Sequence, residues 1–347
     1  MRRHKSKTSL MVCSLLLCCI FLISCSSETT GVDGEKSNSA SPTTSHPTTS
    51  TIDLDQIASS PDVSLKKIPV NKGDIVEESE NGVIDYSSAS DGYFMAKYTG
   101  EKTGDESDIV LLITTPNPEF PQYRYYLAQN GEFFAFPFSE GSGRYSIGLF
   151  KRLNGTEYAQ LMAVECDVSL SDELLPFLIS NHKVRYTGKS LSVKLASELT
   201  KESTDFFARI ESVYNYVISN ITYDADKAEA AVNGELQTYV PDNDQILRSK
   251  KGICFDYATL TTAMLRSLDI PTKVIFGYAS TGEEGMGPVY HAWISVYSTE
   301  TGWIDGVIEF SGNGWTRMDP TFSSSSNNKT MANFIGDGSN YIDDLHF

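Results

Sequence analysis

Cysteine is nearly missing from the part of this sequence that can fold. Four of the six cysteines (Cys13, Cys18, Cys19 and Cys25) fall near the start, which leaves only Cys166 and Cys254 for the rest of the chain. So few thiols argue against a fold built on disulfides. A Cys166–Cys254 bridge would silence the thiol that matters most below. Positive charge is scarce too: 28 Lys and Arg stand against 45 Asp and Glu, a formal net charge of −17, or −21 once residues 1 to 24 with their four basic groups are set aside. Such a surface repels phosphate backbones and anionic membranes, which argues against nucleic acid as a partner. No cluster of His, Asp and Glu has metal-ligand spacing, so metal catalysis is not expected and no cofactor is implied. Long apolar runs are also lacking; the one from Leu10 to Ile23 is too short to span a bilayer comfortably.

That short run has a charged flank of Arg2, Arg3, Lys5 and Lys7, the pattern of an export signal. It ends in Leu22-Ile23-Ser24-Cys25, which resembles the lipobox of bacterial lipoproteins. The resemblance implies a signal peptide over 1–24, lipid attachment at Cys25, and a mature protein held outside the cytoplasm on the bacterial cell membrane by its lipid alone. In the 26 residues after Cys25, Ser and Thr fill 14 positions and only Val32 and Ala40 offer apolar side chains. Too little surface can be buried there to offset chain entropy, so 25–60 reads as a disordered tether.

Two textures follow. Residues 61–185 read as a β-rich, sandwich-like domain, with strand-like stretches such as "YFMAKYT", "DIVLLIT" and "EFFAFPF". Asn130-Gly131 and Asn154-Gly155 predict hairpin turns, because both residues tolerate positive φ. Tyr123, Tyr125 and Tyr126 suit core packing better than a ligand platform. Residues 190–347 read as an α+β domain. Phe206, Ile210, Val213, Tyr214 and Val217 recur at helical spacing after a Ser203 or Thr204 cap. A second helix is expected from Cys254 to Leu268, followed by the strands "TKVIFGY" and "HAWISVY" and then "GWTRMDPTF".

A cysteine that opens a helix meets unpaired N–H groups and the positive end of the dipole, which favour its thiolate. Its own amide is placed to donate to an oxyanion. A nucleophile needs a base and something to orient that base. His46 lies in the tether, His182 in a polar linker and His346 at the chain end, whereas His291 opens a strand that can aim its ring. Asp319, before Pro320, could hold the other ring nitrogen.

The stretch "KGICFDYATLTTAMLRSLDIPTKVIFGY", then "YHAWISVY", then "GWTRMDPTF" resembles the transglutaminase-like superfamily in its bacterial exported branch, over residues 195 to 325. The resemblance implies a papain-like α+β fold with Cys254 as nucleophile, His291 as base and Asp319 as its orienting partner. Family members often add a second oxyanion donor upstream of the cysteine, for which Tyr223 and then Gln237 are the candidates. Asp256 suits a helix-start acid, and Trp293 either shields the imidazole or fills the core. The implied chemistry is acyl transfer on an amide of a protein or cell-wall peptide through a thioester, ending in hydrolysis or cross-linking. The alternative is a non-catalytic surface binding protein that uses the same fold as scaffold.

Overall fold

Aromatic and β-branched residues of the first texture pair into two antiparallel sheets in the computed structural model, which describes residues 52–280, 287–304, 307–309, 315–324 and 340–347. The expected signal peptide and Cys25 lie outside the described residues. One sheet has the order β1-β2-β3-β6, from strands β1 (Val76–Ser79), β2 (Gly82–Asp85), β3 (Tyr93–Tyr98) and β6 (Phe134–Pro137). The other runs β5-β4-β7-β8, from β4 (Ile109–Thr114), β5 (Gln122–Tyr126), β7 (Gly143–Asn154) and β8 (Glu157–Val168). Their facing sides bury Phe94, Phe136, Ile109, Ile147 and Tyr125, with the Tyr125 and Phe136 rings in edge contact across the gap, centroids 4.9 Å apart. Each aromatic ring fully removed from water contributes about 2–3 kcal/mol. Tyr123 and Tyr125 are core residues, while Tyr126 is half-buried.

The two Asn-Gly turns part company. Asn154-Gly155 closes the β7–β8 hairpin, with Gly155 at φ 47°. Asn130-Gly131 turns, with Gly131 at φ 75°, but it joins β5 to β6 in the opposite sheet, so it is a crossover and not a hairpin. Gln129 pins that crossover by accepting from the Thr103 N–H at 2.7 Å and donating to the Asp105 carbonyl at 2.8 Å. Turn chemistry fixes a local reversal, not the sheet to which the chain returns.

The expected tether also needs a correction at its end. Residues 52–60 are ordered, with α1 (Leu54–Ala58) capped by Asp53 and with Ile52, Leu54 and Ile57 packed on the core. Those apolar side chains are what the Ser/Thr tract upstream lacks. Lys194 of α2 (Leu191–Thr200) secures the segment by donating to the Ala58 and Ser60 carbonyls at 3.1 and 2.6 Å.

The second texture is built around α6 (Cys254–Ser267), whose residues from Phe255 to Arg266 are all buried. Helices α2, α3 (Phe206–Asn220), α5 (Asn243–Ser249) and α7 (Pro320–Ser324) pack on it. Helix α3 buries Ile210, Val213, Tyr214 and Val217 as the spacing predicts, but its cap is Asp205, whose carboxylate accepts from the Ala208 N–H at 2.8 Å. The sheet β13-β12-β11-β16 covers α6, from β11 (Thr272–Ala279), β12 (Val289–Ser298), β13 (Gly302–Ile304) and β16 (Tyr341–His346). Two small ladders complete the set: parallel β9 (Thr222–Tyr223) with β10 (Lys251–Gly252), and antiparallel β14 (Val307–Glu309) with β15 (Trp315–Arg317). Helix α4 (Ala225–Val232) lies between β9 and α5.

The boundary near 185–190 is no polar linker. His182 is buried, stacked on Phe136 at 5.2 Å and edge-on to Tyr125. One continuous apolar cluster runs from the sandwich into the helices. Arg266 crosses the same junction, donating to the main-chain oxygens of Ile179, Thr272 and Phe347 at 2.9, 2.8 and 2.7 Å. A guanidinium so deeply buried keeps its place because its donors are met.

Candidate active site

The backbone around residue 252 explains where the thiol sits. Parallel pairing of β9 with β10 places Tyr223 opposite Gly252, and the Asp224 N–H donates to the Gly252 carbonyl at 3.0 Å. A Cβ at Gly252 would lie 2.6 Å from that of Asp256, so only glycine lets the strand pass the first turn of α6. Asp256 is fully buried and accepts from the Ile253 N–H at 2.8 Å, which closes the helix start. Lys227 of α4 donates to the same carboxylate at 2.6 Å and the Tyr239 hydroxyl at 2.5 Å. Burial and the Asp256 charge push the Tyr239 phenol well up, so it remains a donor. This buried clamp sets the first turn, and Cys254 is its first residue, half-buried and free.

His291 is the third residue of β12, paired with Gly277 of β11. A Cβ at Gly277 would meet the Ile342 carbonyl oxygen at 2.1 Å and the Trp293 ring at 2.7 Å, so glycine here lets the ring and β16 close in together. Trp293 is buried, stacked near His291 at 6.2 Å and edge-on to Tyr341 at 4.9 Å.

Asp319 lies between β15 and α7, fully buried. The Ile294 N–H donates to the Met318 carbonyl at 3.0 Å, which staples this segment to β12 three residues from the histidine. His291 Nε2 meets Asp319 Oδ2 at 2.7 Å. The Tyr341 hydroxyl donates to the same oxygen at 2.9 Å and the Thr321 N–H to Oδ1 at 3.1 Å. With Nε2 committed to Asp319, Nδ1 is the nitrogen left for Cys254, whose side chain hydrogen-bonds the imidazole. Burial alone would lower the proton affinity of His291; the Asp319 carboxylate and the Cys254 contact override it and carry the pKa up to about 10. The imidazole is therefore charged at neutral pH, the partner a thiolate requires.

Three of the residues singled out in the sequence, Cys254, His291 and Asp319, thus converge. Tyr223 stands beside them on β9 with its side chain exposed. Gln237 is exposed in the α4–α5 loop with its amide near Gly234, and among the described residues it makes no hydrogen bond to the three. Tyr341, Lys227 and Gly277 carry weight in the geometry without having been singled out. Cys166 is the counter-example: it is buried on β8, unbridged, with its thiol pushed up to about 11 by burial. Among the described residues no group of three His, Cys, Asp or Glu is placed to hold a metal ion, and no helix is long and apolar enough to cross a membrane.

Residues 193–320 match the transglutaminase-like superfamily, a span that includes Cys254, His291 and Asp319. The C-terminal part is a transglutaminase-like domain preceded by a β-rich region. Two curated relatives are similar to it. YebA of Bacillus subtilis (strain 168), an uncharacterized protein, is 32% identical over 124 residues, 32% of this chain and 16% of its own. The kyphoscoliosis peptidase of Mus musculus is 28% identical over 134 residues, 35% of this chain and 20% of its own. The chain thus spans a fifth or less of the length of these relatives. Among solved structures, a candidate cysteine protease from Cytophaga hutchinsonii is similar at 15% identity and a TM-score of 0.36, covering 69% of this chain and 76% of that one.

Proposed function

We propose that this protein is a thiol enzyme that transfers acyl groups from amides, with Cys254 as nucleophile, His291 as acid and base, and Asp319 as orienting partner. The observation that carries the reading is the His291 ring, held by Asp319 on one side and in contact with Cys254 on the other. The Cys254 thiolate attacks an amide carbonyl. The C–N bond breaks as the imidazolium gives its proton to the departing amine, and a thioester remains. Neutral His291 then takes a proton from water or an amine. That nucleophile displaces the thiolate, yielding a carboxylate or a new amide and restoring the ion pair. The amide N–H of Cys254, at the helix start, serves the oxyanion. The Tyr223 hydroxyl is the candidate second donor, with Gln237 the more distant one.

The substrate class is a protein or cell-wall peptide. The enzyme is placed outside the cytoplasm by a lipid on Cys25, which fits the export signal and Ser/Thr-rich tether in its sequence. The test is iodoacetamide alkylation of Cys254, followed by mass spectrometry across pH in wild type and His291→Ala. Fast reaction persisting below pH 7 in wild type and lost in the variant is the expected outcome. Reaction confined to alkaline pH and indifferent to His291 would overturn the reading.

A further inference from the structure

Several half-buried and buried cations among the described residues have oxygen partners. Lys227 pairs with Asp256, Lys194 with Asp62 and two carbonyls, and Arg152 with Asp105 and Asp108. Lys183 differs. It lies at the junction of the sandwich and the helical unit, half-buried, and among the described residues no carboxylate pairs with it. Its ammonium instead sits 5.7 Å from the Tyr125 ring centroid and 5.8 Å from those of Phe255 and Phe347. Ring faces attract a cation by about 0.5–2 kcal/mol each, which offsets only part of the loss of water and leaves the charge without a counter-charge among the described residues. Burial and nearby Arg185 accordingly bring its pKa down to about 8.

The position of the charge gives it meaning. Phe255 directly follows Cys254, its ring packs on Phe276 at 4.9 Å, and Phe276 stacks with Tyr290 at 6.1 Å. Tyr290 directly precedes His291 and is about half exposed. An aromatic strip thus runs from Tyr290 through Phe276 and Phe255 to Lys183, beginning one residue from His291 and passing one residue from Cys254. The chain as a whole carries a formal net charge of −17, which repels anions at long range. The geometry points to Lys183 as a subsite for a carboxylate carried by the substrate, reached along this strip from the reacting carbonyl. The inference rests on the acyl-transfer reading of Cys254.

The probes are thiol-reactive maleimides that differ only in a terminal charge, 6-maleimidohexanoate against N-hexylmaleimide, with 3-maleimidopropionate against N-propylmaleimide as the short pair. Rates at Cys254 are measured in the full chain for wild type, Lys183→Met and Lys183→Arg. Methionine keeps the aliphatic stem against the rings, and arginine keeps the charge. In wild type at low salt the long anionic reagent gains about five-fold over its neutral twin, and 1 M NaCl erases the gain. Lys183→Met removes the gain without slowing the neutral reagent, and Lys183→Arg retains it. An equal ratio in wild type and Lys183→Met overturns the subsite. The ratio is read whatever the absolute rate, so a sluggish thiol would count against the enzyme reading and leave the subsite to be decided separately.

Discussion

At the scale of single residues, the site depends on charge held where water cannot reach. Asp319 is fully buried and takes three hydrogen bonds, from His291, Tyr341 and the Thr321 N–H, so little of its capacity to accept is wasted. Replacing it with asparagine keeps the shape and removes the charge. Burial, the largest effect on the ring and one that disfavours the imidazolium, is then opposed chiefly by the Cys254 contact. The His291 ring resonances in a two-dimensional NMR titration should move from a midpoint of about 10 in wild type to one below the ordinary histidine value of about 6.5 in Asp319→Asn. Acyl transfer should fall at least about 100-fold. The sign for stability follows: a histidine whose proton affinity is raised by folding supports the fold fully below pH about 6.5, and that support is lost as pH climbs through about 10. The midpoint staying near its wild-type position in Asp319→Asn would show that the carboxylate is not what holds the proton.

At the scale of elements, the start of α6 is fixed by groups from three other segments: Gly252 on β10, Lys227 on α4 and Tyr239 in the loop that follows. Lys227→Met strands a fully buried carboxylate and should cost about 3 kcal/mol in denaturant unfolding, whereas adding Asp256→Asn should recover part of that loss. A double variant no better than the single would argue against coupling. The same region shows what sequence makes legible. Helix α6, β12 and the Asp-Pro turn announced themselves because their residues are local: an apolar run, a strand with histidine near its start (β12 begins two residues earlier, at Val289), a turn before proline. Lys227 and Tyr239 did not, since nothing near them in the chain says that a carboxylate 29 and 17 residues away will be sealed beneath them. Gly277 was equally silent, because its need for hydrogen in place of a side chain comes from Trp293 and from the Ile342 backbone. The expected Asn130-Gly131 hairpin failed for the same kind of reason: the turn is local, but the choice of sheet is not.

At the scale of the whole molecule, β16 ties the sandwich to the site. Its Tyr341 reaches Asp319, its His346 lies between Asp343 at 3.1 Å and buried Glu140 at 3.6 Å, and the His346 N–H donates to the Tyr123 hydroxyl at 3.1 Å. Glu140 is held by Asn117 and Tyr123, with its carboxyl kept below the usual range by His346 and these donors against the pull of burial. The same two carboxylates raise the proton affinity of His346 over the opposing effects of burial and Lys273. Its contribution is therefore whole below the unfolded histidine value of about 6.5 and fades as pH rises through the elevated folded one. The melting temperature of wild type should exceed that of His346→Gln most at pH 6, and the gap should narrow toward alkaline pH. A gap that does not change with pH would mean the ring matters only through its packing on Phe120 at 4.5 Å.

The bond between His346 and Tyr123 spans 223 residues. Closing so long a loop is slow and gains little until much else is in place. The docking of the sandwich on β16 is therefore expected late in the order of folding, after each unit can have formed from its own nearer contacts, such as that of Tyr341 with Asp319 22 residues away.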